Sequence, residues 1–255
     1  MLYSISMLGL VAFYICVIVN MKRMKHTRAY NYIFPAVIFL CYLYVVIRVY
    51  VSVGFEDWNF QNTLPVANVS PFMFALMLPI QVIPIKVRKH LYLLISLLSV
   101  GMLLSAVFGC IYNASIHYKF HAHFLSDYFA HVLLSLWGVY LIKSRQVDLT
   151  KKNSLISASI IVGVALVMML ANVIFDTAFF GLSLNGKHSI YNNVLTSNSY
   201  LSAGLYFLGL ILVLGMGYFY CRLLAPKCMD EPRSDAVNAE TVSGEDAKEI
   251  SYSEK

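Results

Sequence analysis

The sequence predicts an all-α polytopic membrane protein with seven transmembrane helices, its N-terminus outside and its C-terminus cytoplasmic. Three observations lead there. Seven apolar stretches alternate with short loops across most of the 255 residues, and 59% of the chain is hydrophobic. A bilayer-spanning helix needs about 20 such residues. Lys and Arg also gather in every second loop: Lys22, Arg23, Lys25 and Arg28, then Lys86, Arg88 and Lys89, then Lys143, Arg145, Lys151 and Lys152. The intervening loops hold only Lys119 and Lys187, with Glu56 and Asp57 as acidic counterweight. Cytoplasmic loops collect basic residues, which orients the chain.

The spans fall at about 2–20, 31–53, 64–85, 91–112, 124–142, 154–176 and 200–224. The first lacks a basic leading region and a small-residue cleavage pattern. Lys22-Arg23-Met24-Lys25 follows it directly, so it reads as a retained helix rather than a signal peptide. The second carries Arg48 near its outer end, ahead of Phe55, Trp58 and Phe60, which suit the membrane–water interface. The third carries Pro65, Pro71, Pro79 and Pro84, so it is kinked or interrupted: each proline removes a donor and crowds the preceding turn. The fourth shows Gly101, Ser105 and Gly109 at four-residue spacing, a stripe for close helix packing within the bundle. The seven-helix domain covers 1–224. Residues 225–255 carry four basic against eight acidic residues and read as a disordered cytoplasmic tail.

Residues 1–224 hold fifteen Lys and Arg against five Asp and Glu. Topology accounts for that excess, so it is no sign of nucleic-acid binding. Cys16, Cys41, Cys110, Cys221 and Cys228 show no CxxC spacing, so neither a disulfide framework nor a zinc knuckle is implied.

The sharpest local pattern is His117-x3-His121-x-His123-x3-Asp127-x3-His131. On a helix, His123, Asp127, His131 and Ser135 drift only about 40° per step and share one side. His131 then lies roughly 12 Å inside His123, where an ionisable group normally faces the bundle interior or a water-filled cavity. Arg48, Asn68, Ser70, Asn172 and Asp176 sit at matching outer depths. They are expected to converge with the stripe on one outward-facing polar pocket, with no comparable set in the cytoplasmic half. Three roles compete for the stripe. Asp127 could orient a histidine that activates the Ser70 hydroxyl. Imidazoles and a carboxylate could hold zinc, although no metal site is assigned. Alternatively the histidines are interfacial, and Asp127 pairs with Arg48 or a histidine. Arg48 is expected to find its partner in Asp127 or Asp176.

Three motifs together resemble the YwaF-type family of bacterial membrane proteins over spans two to seven. They are Leu64-Pro65 leading into Asn68-Val69-Ser70-Pro71-Phe72; Phe120-His121-x-His123-Phe124 with His131; and Asn172-x3-Asp176-Thr177-x2-Phe180 ahead of Leu182-Ser183-Leu184-Asn185-Gly186-Lys187. That family is similar to vertebrate transmembrane proteins that include a phospholipid acyltransferase and the androgen-induced lipid hydrolases. The resemblance implies a membrane-embedded pair, a Cys or Thr nucleophile on an early helix and a His on a later one. The histidine carries over to His131, or less directly to His123. Where relatives have a His-x-Cys-like stretch this chain reads Val66-Ala67-Asn68-Val69-Ser70, and Ser70 is the hydroxyl available there.

The functional expectation is lipid acyl transfer or ester hydrolysis, with His131 as base, Ser70 as nucleophile and Asp127 as the orienting acid. The alternative is binding or transport of a lipid or small anion through Arg48, Asn68, His123, Asn172 and Asp176 without a covalent step. A structural membrane subunit is a third class. Membrane lipids are the expected partners, and no cofactor is expected.

Overall fold

A bilayer offers no water to unpaired backbone groups, so a spanning chain must satisfy them internally. This one does so with helices. The computed structural model describes residues 2–21, 29–53, 68–116, 122–177, 179–182 and 198–225. In order they form α1 (Leu2–Asn20), α2 (Tyr30–Val53), α3 (Val69–Ala75), a 3-10 turn at Pro79–Gln81, α4 (Ile85–Ile116), α5 (Ala122–Lys143), α6 (Lys151–Phe175), a second 3-10 turn at Phe179–Gly181, and α7 (Ser199–Leu224). No strand occurs among the described residues. Loops 22–28, 54–67 and 183–197, His117 and His121, and the tail from 226 lie outside them, so the readings made there stand as expectations.

Five helices are long and apolar enough to cross a membrane: Tyr30–Arg48, Ile85–Tyr112, Leu125–Lys143, Lys151–Phe175 and Tyr200–Leu224. The described part of α1 is a shorter apolar helix, Ile5–Asn20. Outward-facing Val167, Leu170 and Ile174 on α6, and Leu212 and Phe219 on α7, form apolar surface that suits lipid rather than water.

The third expected span is not one helix. Its described part is the seven-residue α3, a turn, and the 3-10 turn opening at Pro79. This stretch runs antiparallel to α2: the Phe74 ring lies 6.2 Å from Tyr42, and further along Gln81 bonds back to Asn31. Lys86, Arg88 and Lys89, read as a loop, belong to the first turns of α4, which is 32 residues long, about 48 Å, and overshoots a hydrocarbon core of about 30 Å.

The centre of the bundle is α5, in which every residue from Ala130 to Ile142 is buried. It packs against α1, α2, α4 and α7. Tyr92 of α4 meets Trp137 edge-on at 5.5 Å, while Tyr140 packs against Tyr30 and Phe34 of α2. Small residues let the backbones close in. A Cβ on Gly138 would lie 3.0 Å from the Ile95 carbonyl oxygen, and the Ser96 hydroxyl donates to the Gly138 carbonyl at 3.1 Å. The expected stripe on α4 splits: Gly101 faces Val213 of α7, Gly109 faces Tyr128 of α5, and Ser105 is exposed. The tightest approach falls elsewhere. A Cβ on Gly217 of α7 would run into the Leu97 carbonyl oxygen, and one turn on, the Cys221 thiol reaches the Ser96 carbonyl at 3.3 Å.

Candidate functional site

His131 is where helix geometry and chemistry meet. It is 7% exposed, because the helix that carries it is wrapped on all sides. Its Nδ1 lies 2.8 Å from the Asp127 backbone carbonyl. A carbonyl only accepts, so in the neutral ring Nδ1 carries the hydrogen and Nε2 carries the free lone pair. The Asp127 carboxylate lies 3.7 Å from the same Nδ1. The opposing surface is Phe74 of α3, whose ring stands perpendicular to the imidazole at 4.9 Å.

Ser70 does not reach the ring. Its hydroxyl is directed to the Met102 sulphur on α4, at 3.7 Å, and the expected Ser70–His131 pair is not formed. Ser70 does stand one helical turn before Phe74, on the same side of α3. Asn68 occupies the N-cap position of α3 without a side-chain capping bond. His123 lies in the first turn of α5, and its side chain is outside the described residues.

Three residues expected as ligand contacts sit as follows. Arg48 is exposed and makes no ion pair among the described residues, so Asp127 lies against His131 rather than against the guanidinium. Asn172 is a clamp for the chain leaving α6. Its Nδ2 donates to the carbonyls of Phe179 and Leu182, while its Oδ1 accepts from the Thr177 hydroxyl at 2.8 Å and the Phe179 amide at 2.7 Å. An asparagine side chain makes four such bonds at most, so none is left for a ligand. Asp176 ends the helix in the left-handed region (φ 52°, ψ 46°), and its amide donates to the Asn172 carbonyl. Asp tolerates that conformation better than most residues, and here its backbone serves the cap. The clamp drives Phe180 into the bundle, edge-on against Phe72 of α3 at 5.8 Å. Phe72 and Phe180 thus join α3 to the chain leaving α6.

The other half of the bundle is more polar than expected. Pro35 lies inside α2 and leaves the Asn31 carbonyl without its helical donor; Gln81 Nε2 supplies one at 2.9 Å. The Asn31 amide donates to Gln146 Oε1 at 2.7 Å, Gln146 donates to the Ser144 hydroxyl at 2.8 Å, and Arg88 donates to the Gln81 carbonyl at 3.0 Å. Sequence reasoning missed this network, although Pro35 was its signal. A second missed chain crosses the core: Ser135 donates to the Tyr14 hydroxyl at 3.0 Å, and Tyr14 and Tyr220 hydroxyls lie 3.2 Å apart. Among the described residues no group of three His, Cys, Asp or Glu side chains gathers to hold a metal.

Fold and surface together define a helical membrane protein. No family model, curated protein or solved structure matches the chain.

Proposed function

We propose that this is a seven-span protein of the cell membrane, N-terminus outside and C-terminus cytoplasmic, that binds a membrane lipid through a site centred on His131. Five span-length helices, α1, and the broken segment running antiparallel to α2 are the elements that support a count of seven. Among the described residues every Lys and Arg except Arg48 lies at one end: at the starts of α4 and α6, at or just beyond the end of α5, and in the last turn of α7. That distribution supports the inward assignment of this end.

The observation that carries the binding reading is the imidazole held by its own helix. With Nδ1–H bound to the Asp127 carbonyl, Nε2 is a fixed acceptor about two turns inside the outer end of the span. A hydroxyl-bearing head group or glycerol backbone is a donor of the right chemistry. If the ring takes a second proton, the Asp127 carboxylate is its neighbouring countercharge. The resemblance to YwaF-type proteins supports a lipid as the ligand, and the Ser70–Met102 contact favours binding without a covalent step. The test is mass spectrometry of lipid co-purifying with the wild type and with His131→Asn. A folded variant that keeps the wild-type lipid complement refutes the site.

One observation favours a second reading, acyl transfer or ester hydrolysis: Ser70 shares a face of α3 with Phe74, the residue against the His131 ring. Here Nε2 would take the Ser70 proton as the hydroxyl attacks an ester carbonyl and return it to the alcohol expelled as the ester C–O bond breaks; water or a second alcohol would then take the acyl group from Ser70. A fluorophosphonate probe separates the two. Labelling abolished by Ser70→Ala supports catalysis, whereas unlabelled protein that retains lipid supports binding alone.

A further inference from the structure

Between α4, α6 and α7 lies a groove of about 720 Å³, apolar along its length and polar at one mouth. Two positions on its walls are glycines, Gly163 and Gly215, and a Cβ at either would meet no atom within 4 Å. The space is therefore made by missing side chains and is not filled by neighbours. The mouth is framed by Lys151 and Tyr218, with Arg222 donating to the Tyr218 hydroxyl at 3.2 Å. Ser154, also at this end, is 7% exposed, and its hydroxyl has no hydrogen-bond partner among the described residues. Asp148 is the acid nearby. It accepts from the Thr150 amide and the Asn153 side chain, and among the described residues it is the one carboxylate at this end, against Lys151 and Lys152.

Shape and charge agree on an occupant. From Lys151 to Leu166 the groove follows α6 for about 22 Å, enough to reach from a leaflet surface past the middle of a hydrocarbon core about 30 Å thick. The basic mouth stands at the surface and the apolar, glycine-floored part stands in the core. We propose that this groove holds one acyl chain of an anionic glycerophospholipid, its phosphate beside Lys151. This site is separate from His131, and it goes beyond the lipid-binding reading made there.

The experiment uses the full chain reconstituted in vesicles of equal phosphatidylglycerol and phosphatidylcholine, extracted in detergent and weighed intact by native mass spectrometry. Phosphatidylglycerol is expected to be retained preferentially. Lys151→Gln should cut that preference about five-fold, the factor equivalent to about 1 kcal/mol for one cation at an anionic surface. Gly163→Leu combined with Gly215→Leu should remove this lipid, whereas His131→Asn should leave it in place. A phosphatidylglycerol with a photoreactive acyl chain should crosslink Val162 and Ile211 more than the outward-facing Val167 and Phe219. Equal retention of the two lipids, retention unchanged by the paired leucines, uniform crosslinking, or a second copy of this chain crosslinked into the groove would each overturn the proposal.

Discussion

Replacing Asn172 with alanine removes four hydrogen bonds from a side chain that is 2% exposed. The cost is not four equal shares. Thr177 and Phe179 are half-buried, so their freed hydroxyl, amide and carbonyl can regain some water. The Leu182 carbonyl is in buried surroundings and forfeits its donor outright, at about 1–3 kcal/mol. With roughly 0.5 kcal/mol for each of the other three bonds, the expected loss is about 3 kcal/mol. Asn172→Asp should do no better despite its matching shape, because it presents an acceptor to two carbonyls that need donors. Equilibrium unfolding in mixed micelles measures both, with lipid co-purification assayed in parallel. A loss below about 1 kcal/mol with the lipid gone would refute the clamp and return Asn172 to the role of a ligand contact.

Gly217→Ala should destabilise by about 3 kcal/mol, the upper end for overpacking, because its new Cβ meets the Leu97 backbone; Gly209→Ala, which faces open space, should not, and the same unfolding assay compares them. Gln81→Leu should cost about 1–3 kcal/mol by stranding the Asn31 carbonyl, and adding Pro35→Ala, which restores the helical donor, should recover part of it; strict additivity in this double-mutant cycle would disprove the link. Reporter fusions after Lys25 and Arg145 should read cytoplasmic, and those after Asp57, Lys119 and Lys187 outside; one reproducible inversion would redraw the topology.

The span-length helices were legible because a run of about 20 apolar residues has few other readings. Pro71, Pro79 and Pro84 foretold that the described part of the third span, from Asn68 on, could not be one regular helix. They could not show where the chain would resume, because α4 begins at Ile85 with basic residues that look like loop. The burial of His131 followed from its depth, but its relation to Ser70 did not, since α3 offers the imidazole a phenyl ring instead. Asn172 and Asp176 were read as ligands because polar residues at a span's end suggest a pocket. The same pair, four apart and ending a helix, also fits a C-terminal cap, which the Asp176 amide makes to the Asn172 carbonyl. Asn31, Gln81 and Gln146 passed unnoticed because isolated amides near a membrane boundary look solvated in sequence.

The enclosure of α5 has a consequence for how the protein is made. Leu125–Lys143 has the lowest mean hydropathy of the five long spans, yet it is 78% buried. Asp127, His131, Ser135 and Gly138 are tolerable at the centre of the bundle, but on a lone helix they would face hydrocarbon. During synthesis this segment reaches the insertion machinery before α6 and α7 exist, when only α1, α2 and the α3–α4 segment can shield it. Partitioning into lipid must therefore be a group decision, with the early helices holding α5 in place until α7 closes over Ser96 and Leu97. A chain stopped after Lys143 should consequently leave α5 open to alkali extraction or protease, and appending α6 and α7 as a separate polypeptide should protect it.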